Sequence, residues 1–242
     1  MLAASLTACS NGKSEPFSGL SGITIPWGDY EETLYQFTAN GSVSDDVKFI
    51  IEKKELDGRQ VYEIQSPILL KEGEYVTGAI VEADTMKPLS SYVLKHPPEQ
   101  YKDKRIDIKG TYGEKLEIEA ISANGTQNVK VNLNGESLDN ESSLMALRTL
   151  PLNQDYKRIV NICIISTAKS APFEVEVKGK EKITVPFGEV ECYKCDFHYK
   201  GTQPSTSMTI WYSADDKKTM VKYVQASTVF ELKSVKYEKS GE

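Results

Sequence analysis

The chain has 242 residues, 39% of them hydrophobic and 26% charged, with a formal net charge of −6. That length fits one large β domain or two small domains, and the balance excludes global disorder. Nucleic-acid binding is excluded as well: it needs clustered basic surface to displace counterions, and here Lys is interleaved with acids, as at 52–55 and 178–182.

In chain order, residues 1–8 are small and apolar and end in Leu6-Thr7-Ala8-Cys9. An aliphatic residue, two small ones and a Cys resemble the lipobox of bacterial lipoproteins. There the peptidase closes around an extended segment of small residues, and the thiol carries the diacylglycerol. A full signal peptide has a basic start and about 7–15 apolar residues. This one is shorter and lacks the basic start, so either an internal Met is taken as the start or the segment is truncated. Cys9 is the expected lipidation site and residues 9–22 a tether, polar and turn-rich from Ser10 to Pro16. Diacylation gives durable attachment, whereas a single acyl chain holds weakly. Nothing else approaches the roughly 20 apolar residues of a transmembrane helix.

From residue 23 onward, short segments of β-type residues alternate with period two. Strands are expected at 33–38, 47–52, 61–65, 74–82, 89–94, 105–109, 115–121 and 128–133, with an Asp57-Gly58 hairpin turn between the second and third. Then the period changes. Leu144, Leu147 and Leu150 have helical spacing, Asp139 or Asn140 can cap the start and Pro151 stops it, so one short helix is expected over 139–150. Strands resume at 160–165, 173–178, 181–185, 189–199, 207–212, 220–225 and 228–237. The expected fold is mainly β: a large curved antiparallel sheet, half-barrel or sandwich-like, with one connecting helix. Residues 23–242 would form a single domain of two similar halves, about 23–138 and 151–238, if a faint repeat of turn, strand and acidic turn is real rather than common to all meanders.

Chemistry is sparse. The only histidines are His96, before two prolines, and His198, within an alternating strand; neither neighbourhood carries a nucleophile motif. Asp45-Asp46 and Asp215-Asp216 read as turn formers rather than catalytic pairs. Cys192 and Cys195 have CxxC spacing, but three residues along a strand point to opposite faces, so neither a redox pair nor a zinc site is expected. They read as ordinary thiols, and a Cys163–Cys192 or Cys163–Cys195 disulfide stays open in an oxidising compartment. No metal site, cofactor or catalytic residue is expected. Aromatic residues make up 9% of the chain. Trp27, Tyr35 and Phe37 cluster early and Trp211 and Tyr223 late; they either fill the core or line a cavity in a half-closed sheet.

Several fragments in order resemble a family of exported bacterial proteins of unassigned function, shaped like the lipoprotein carriers LolA and LolB. They are Val81–Tyr92, Leu147–Leu152, Thr184–Lys194 and Trp211–Tyr223. The resemblance implies a curved antiparallel sheet, an extracytoplasmic location and a hint of hydrophobic-ligand binding; it brings no catalytic residues. The expected function is a non-enzymatic lipoprotein, held to a membrane through Cys9, that binds a lipid or other apolar small molecule. The alternative is an interaction lipoprotein that docks a protein partner in the cell envelope.

Overall fold

The computed structural model describes residues 15–69, 73–200 and 207–238. The expected signal segment, Cys9 and residues 10–14 of the tether lie outside the described residues; the later part of the expected tether is packed on the sheet, with Ser18 bridged to Glu136 and Leu20 buried. Period-two alternation becomes strands: β1 (Tyr30–Ala39), β2 (Ser42–Val43), β3 (Val47–Leu56), β4 (Arg59–Leu69), β5 (Glu74–Glu82), β6 (Pro88–His96), β7 (Ile106–Tyr112), β8 (Lys115–Ser122) and β9 (Gly125–Asn132). A three-residue strand, β10 (Ser137–Asp139), leads into helix α1 (Asn140–Ala146). There follow β11 (Lys157–Ile164), β12 (Lys169–Val185), β13 (Gly188–Tyr199), β14 (Ser207–Ser213), β15 (Met220–Gln225) and β16 (Thr228–Glu238).

All belong to one sheet, ordered β10-β11-β12-β13-β14-β15-β16-β1-β3-β4-β5-β6-β7-β8-β9, with β2 hanging on β1. Every pairing is antiparallel except β10 with β11. The mainly-β expectation is met. The two stretches of chain are joined through β1 and β16, its first and last strands, rather than through the helix. The sheet does not close, because β9 and β10 are free edges in the strand order. It curls so that the β10–β11 end packs across β6 and β7. Gly110 on β7 permits that approach: a Cβ there would lie 2.8 Å from Ile165 Cγ2.

Local chemistry sets the details. Asp57 and Gly58 both have positive φ, 51° and 75°, as a tight turn matching strand twist requires. The expected strands at 173–178 and 181–185 are a single strand, β12, because a bulge at Val177/Gly179 absorbs the break in pattern. The helix expected over 139–150 is α1 followed by a 3-10 turn, Leu147–Thr149. Asp139 is its cap, its side chain accepting from the Glu141 N–H.

The concave face of the sheet and α1 enclose the main core, with Ile64, Val81, Leu138, Leu147, Val175 and Phe197 almost fully buried. A smaller core around Leu116, Ile118, Cys163 and Ile165 lies where the curled end meets β6–β8. The three described cysteines are free. The disulfides left open from the sequence do not form, and the register gives the reason. Cys163 pairs with Ser170, whereas Cys195 pairs with Val177, seven residues further along β12 (170 to 177), roughly 23 Å at strand rise. Burial pushes the Cys163 thiol up to about 11 and those of Cys192 and Cys195 up to about 12, so all three are protonated and inert.

Candidate ligand cavity

One strand shows how the interior is divided. Alternation turns Glu31, Thr33, Tyr35 and Phe37 of β1 inward, in that order along the chain. The Glu31 end is sealed. Arg148, fully buried in the middle of the 3-10 turn, donates from Nη1 to Glu31 Oε1 at 2.5 Å and from Nη2 to Oε2 at 2.9 Å. Nε donates to the Lys218 carbonyl at 2.9 Å and Nη2 also to that of Lys217 at 2.8 Å. The guanidinium carbon lies 5.1 Å from the Trp27 ring centre. Burial opposes the Arg148 charge, but the Glu31 carboxylate outweighs it and holds the guanidinium more firmly protonated than usual. The two carbonyls belong to a turn that Asp215 braces, its Oδ1 accepting from the Lys217 and Lys218 N–H groups. Arg148 and this acidic turn lie in two of the fragments that carried the family resemblance, and they meet here.

Tyr35 comes next and is packed: it has no exposed surface, and its hydroxyl donates to the Met220 carbonyl at 2.8 Å. Beyond it the interior opens. Phe37 faces a cavity of about 630 Å³ between the sheet and the first turn of α1, within the usual range for small-molecule sites. Its aromatic wall is continuous. The Phe230 ring centre lies 5.4 Å from Phe37, 6.4 Å from Phe49 and 5.2 Å from Tyr223, the last nearly stacked. Ile162, Ile164 and Phe173 of the second stretch of chain face them, with Ile68 and Tyr75 of the first beside them and Leu144 of α1 above. The rim is polar, with exposed Ser44 and Asp45 on one side and Asn140 and Glu141 on the other.

Of the five aromatic residues expected to line a cavity, the structure brings Phe37 and Tyr223 to it. Trp27 and Tyr35 sit instead at the sealed end. Trp211 is on the opposite face, its Nε1 donating to Glu181 at 2.6 Å and its ring under the Lys194 ammonium. Alternation explains this: Ile210 and Tyr212 are the inward residues of β14, so Trp211 between them points out. Phe49 and Phe230 were missed; their strands were recognised, but only the curl brings them together.

The second buried polar site is at the N-terminal end of α1. Tyr112 donates to Asp139 Oδ2 at 2.5 Å, and the Glu141 N–H donates to Oδ1 at 2.7 Å. The Ser91 hydroxyl is close enough to draw Asp139 downward but forms no good hydrogen bond with any described residue. Burial dominates and pushes the Asp139 carboxyl up to about 7. The histidines are far apart: His96 holds Asp107 at 2.6 Å near the end of β6, and His198 is on β13. Among the described residues no three His, Cys, Asp or Glu side chains are grouped to hold a metal ion. No helix among them is long and apolar enough to cross a membrane.

Residues 35–232 match DUF3108, a family described as a protein of unknown function. The chain belongs to the DUF3108 family. No curated protein matches this DUF3108 chain. Its fold is similar to that of a β-barrel-like DUF1849 protein from Brucella abortus, with a TM-score of 0.56 at 8% identity, over 88% of this chain and 99% of that one. Weaker likenesses are to a candidate exported protein with a YmcC-like fold from Bacteroides fragilis (TM-score 0.33, 11% identity, 88% of this chain and 99% of that one) and to a candidate lipoprotein from Parabacteroides distasonis (0.35, 12%, 89% and 100%).

Proposed function

We propose that this DUF3108 protein is an extracytoplasmic lipoprotein, anchored through Cys9, whose half-barrel holds the apolar part of a lipid-like small molecule without transforming it. The observation that carries the reading is the cavity itself. A well-packed interior leaves few voids larger than a water molecule. Here about 630 Å³ stays open beside a continuous aromatic wall, while the other end of the same sheet is filled. The buried polar groups serve the scaffold: Asp139 caps α1 beside the cavity, and Arg148, at the packed end, ties the helix end to β1 and the acidic turn.

The test is native mass spectrometry of the full chain carrying Cys9→Ser, so that the anchor's own acyl chains cannot pose as ligand, followed by organic extraction. A co-purifying apolar molecule is expected. It should be lost in Phe230→Lys and kept in Trp211→Lys, which changes the outer face. A clean mass, with no uptake of added lipid, overturns the reading. It would favour the alternative of a protein partner docking on the free, exposed edge of β9.

A further inference from the structure

The charge of the cavity rim narrows the class of ligand. Among the described lining residues two, Asp45 and Glu141, are acidic, and none is Lys, Arg or His. Neither acid is neutralised by an ion pair among the described residues. The neighbouring Asp46 takes the nearby cation, Lys233, at 2.7 Å. Glu141 accepts only a neutral amide, from Asn140 Nδ2 at 3.1 Å. Both acids stand beside the apolar wall. The Ser44 N–H donates to the Phe37 carbonyl at 2.8 Å, which sets Asp45 next to the aromatic cluster. Glu141 is in the first turn of α1, near enough to Tyr75 that its charge adds to burial in raising that phenol. The positive end of α1 offers an anion nothing, because the Asp139 side chain already occupies it.

Building on the proposed ligand-binding role, we infer that the cavity takes single-chain amphiphiles with an uncharged or cationic head and rejects those with a carboxylate or phosphate head. An apolar tail would lie along Phe49, Phe230 and Ile164, leaving its head between Asp45 and Glu141. An anion there faces two like charges over low-dielectric walls with no counter-charge among the described lining residues. A quaternary ammonium meets carboxylates and aromatic faces together, the combination that suits such cations.

The experiment is displacement of the neutral fluorescent probe N-phenyl-1-naphthylamine from the full chain by three amphiphiles with the same tail, each below its micelle concentration. These are dodecyltrimethylammonium, dodecyl maltoside and dodecanoate. At low salt the first two are expected to compete at least about tenfold better than dodecanoate. The gap should shrink to about threefold or less in Asp45→Asn/Glu141→Gln, and in wild type at about 1 M salt, where screening acts over about 3 Å. Circular dichroism of the double variant checks that it folds; Asp45→Asn alone, on an exposed loop, gives the same test with half the charge change. Equal competition by all three, or preference for dodecanoate, overturns the inference while leaving apolar binding intact. Failure of the probe and all three to bind overturns the binding role on which it rests.

Discussion

The two ends of the α1 segment are anchored in opposite ways. At its C-terminal end Arg148 keeps its charge in a fully buried site, because Glu31, two backbone carbonyls and the Met145 sulfur at 3.6 Å leave no guanidinium donor without a partner. At the other end Asp139 faces a phenol and a backbone N–H but no cation, and burial raises its pKa instead. A buried charge survives where an opposite charge is provided; without one, the group neutralises itself by holding its proton. The packed end of the half-barrel therefore has a rivet in which Arg148 keeps its charge. The end beside the cavity has a cap whose charge depends on conditions.

Four outcomes would break or sharpen that contrast. The largest effect is expected for Arg148→Ala, which strands Glu31 without its counter-charge and should cost about 3–5 kcal/mol in urea unfolding. Arg148→Met/Glu31→Leu should recover only part of the loss, since the Lys217 and Lys218 carbonyls stay unpaired; full recovery would mean that the carbonyl contacts contribute nothing. Next comes Asp139. Its folded pKa is raised from 3.8 to about 7, so the native state binds the extra proton between those values. The stabilisation is complete below about pH 4 and is lost as pH rises through 7, by roughly 2–4 kcal/mol. Asp139→Asn, which keeps a capping side chain, should flatten that part of the stability profile. An unchanged slope would place the titration elsewhere.

Tyr112→Phe should have a smaller effect, about 1–2 kcal/mol, because it leaves Asp139 short of one donor. It should also move the Asp139 transition to higher pH, since the lost hydrogen bond favours the ionised form. A shift to lower pH would contradict the assigned geometry. The smallest effect is expected for Thr149→Ala, below about 1 kcal/mol, as the Thr149 hydroxyl donates only to the Ala146 carbonyl within the same turn. A larger loss would show that the 3-10 turn, and not only Arg148, carries the packed end.

The legible parts of the sequence were those set by near neighbours. Period-two alternation marked the strands, and Leu144, Leu147 and Leu150 with Asp139 and Pro151 marked the helix and its limits. Asp57-Gly58 marked a turn that no bulkier pair adopts as easily. The face choice read for Cys192 and Cys195 did not separate them: placed on opposite faces by alternation, both are fully buried in the main core. The cavity was less legible. Phe37 and Tyr223 were among the residues expected there, but Trp27, Tyr35 and Trp211 were expected with them. Aromaticity marks burial or contact area, not which end of a sheet is filled, and Trp211 was grouped by closeness in sequence although alternation sends it outward. Arg148 gave no local signal, because the oxygens that hold its charge are 117 residues away on β1 and about 70 residues away in the acidic turn.

By itself, then, the sequence determined a mainly-β chain with one capped helix near its middle, since alternation, capping and turn chemistry act over a few residues. The tertiary structure decided that β1 joins β16, that the sheet curls without closing, and that one end packs around Arg148 while the other leaves a cavity. Those outcomes depend on contacts between residues far apart in the chain, and no local period encodes which distant strand a given inward face will meet.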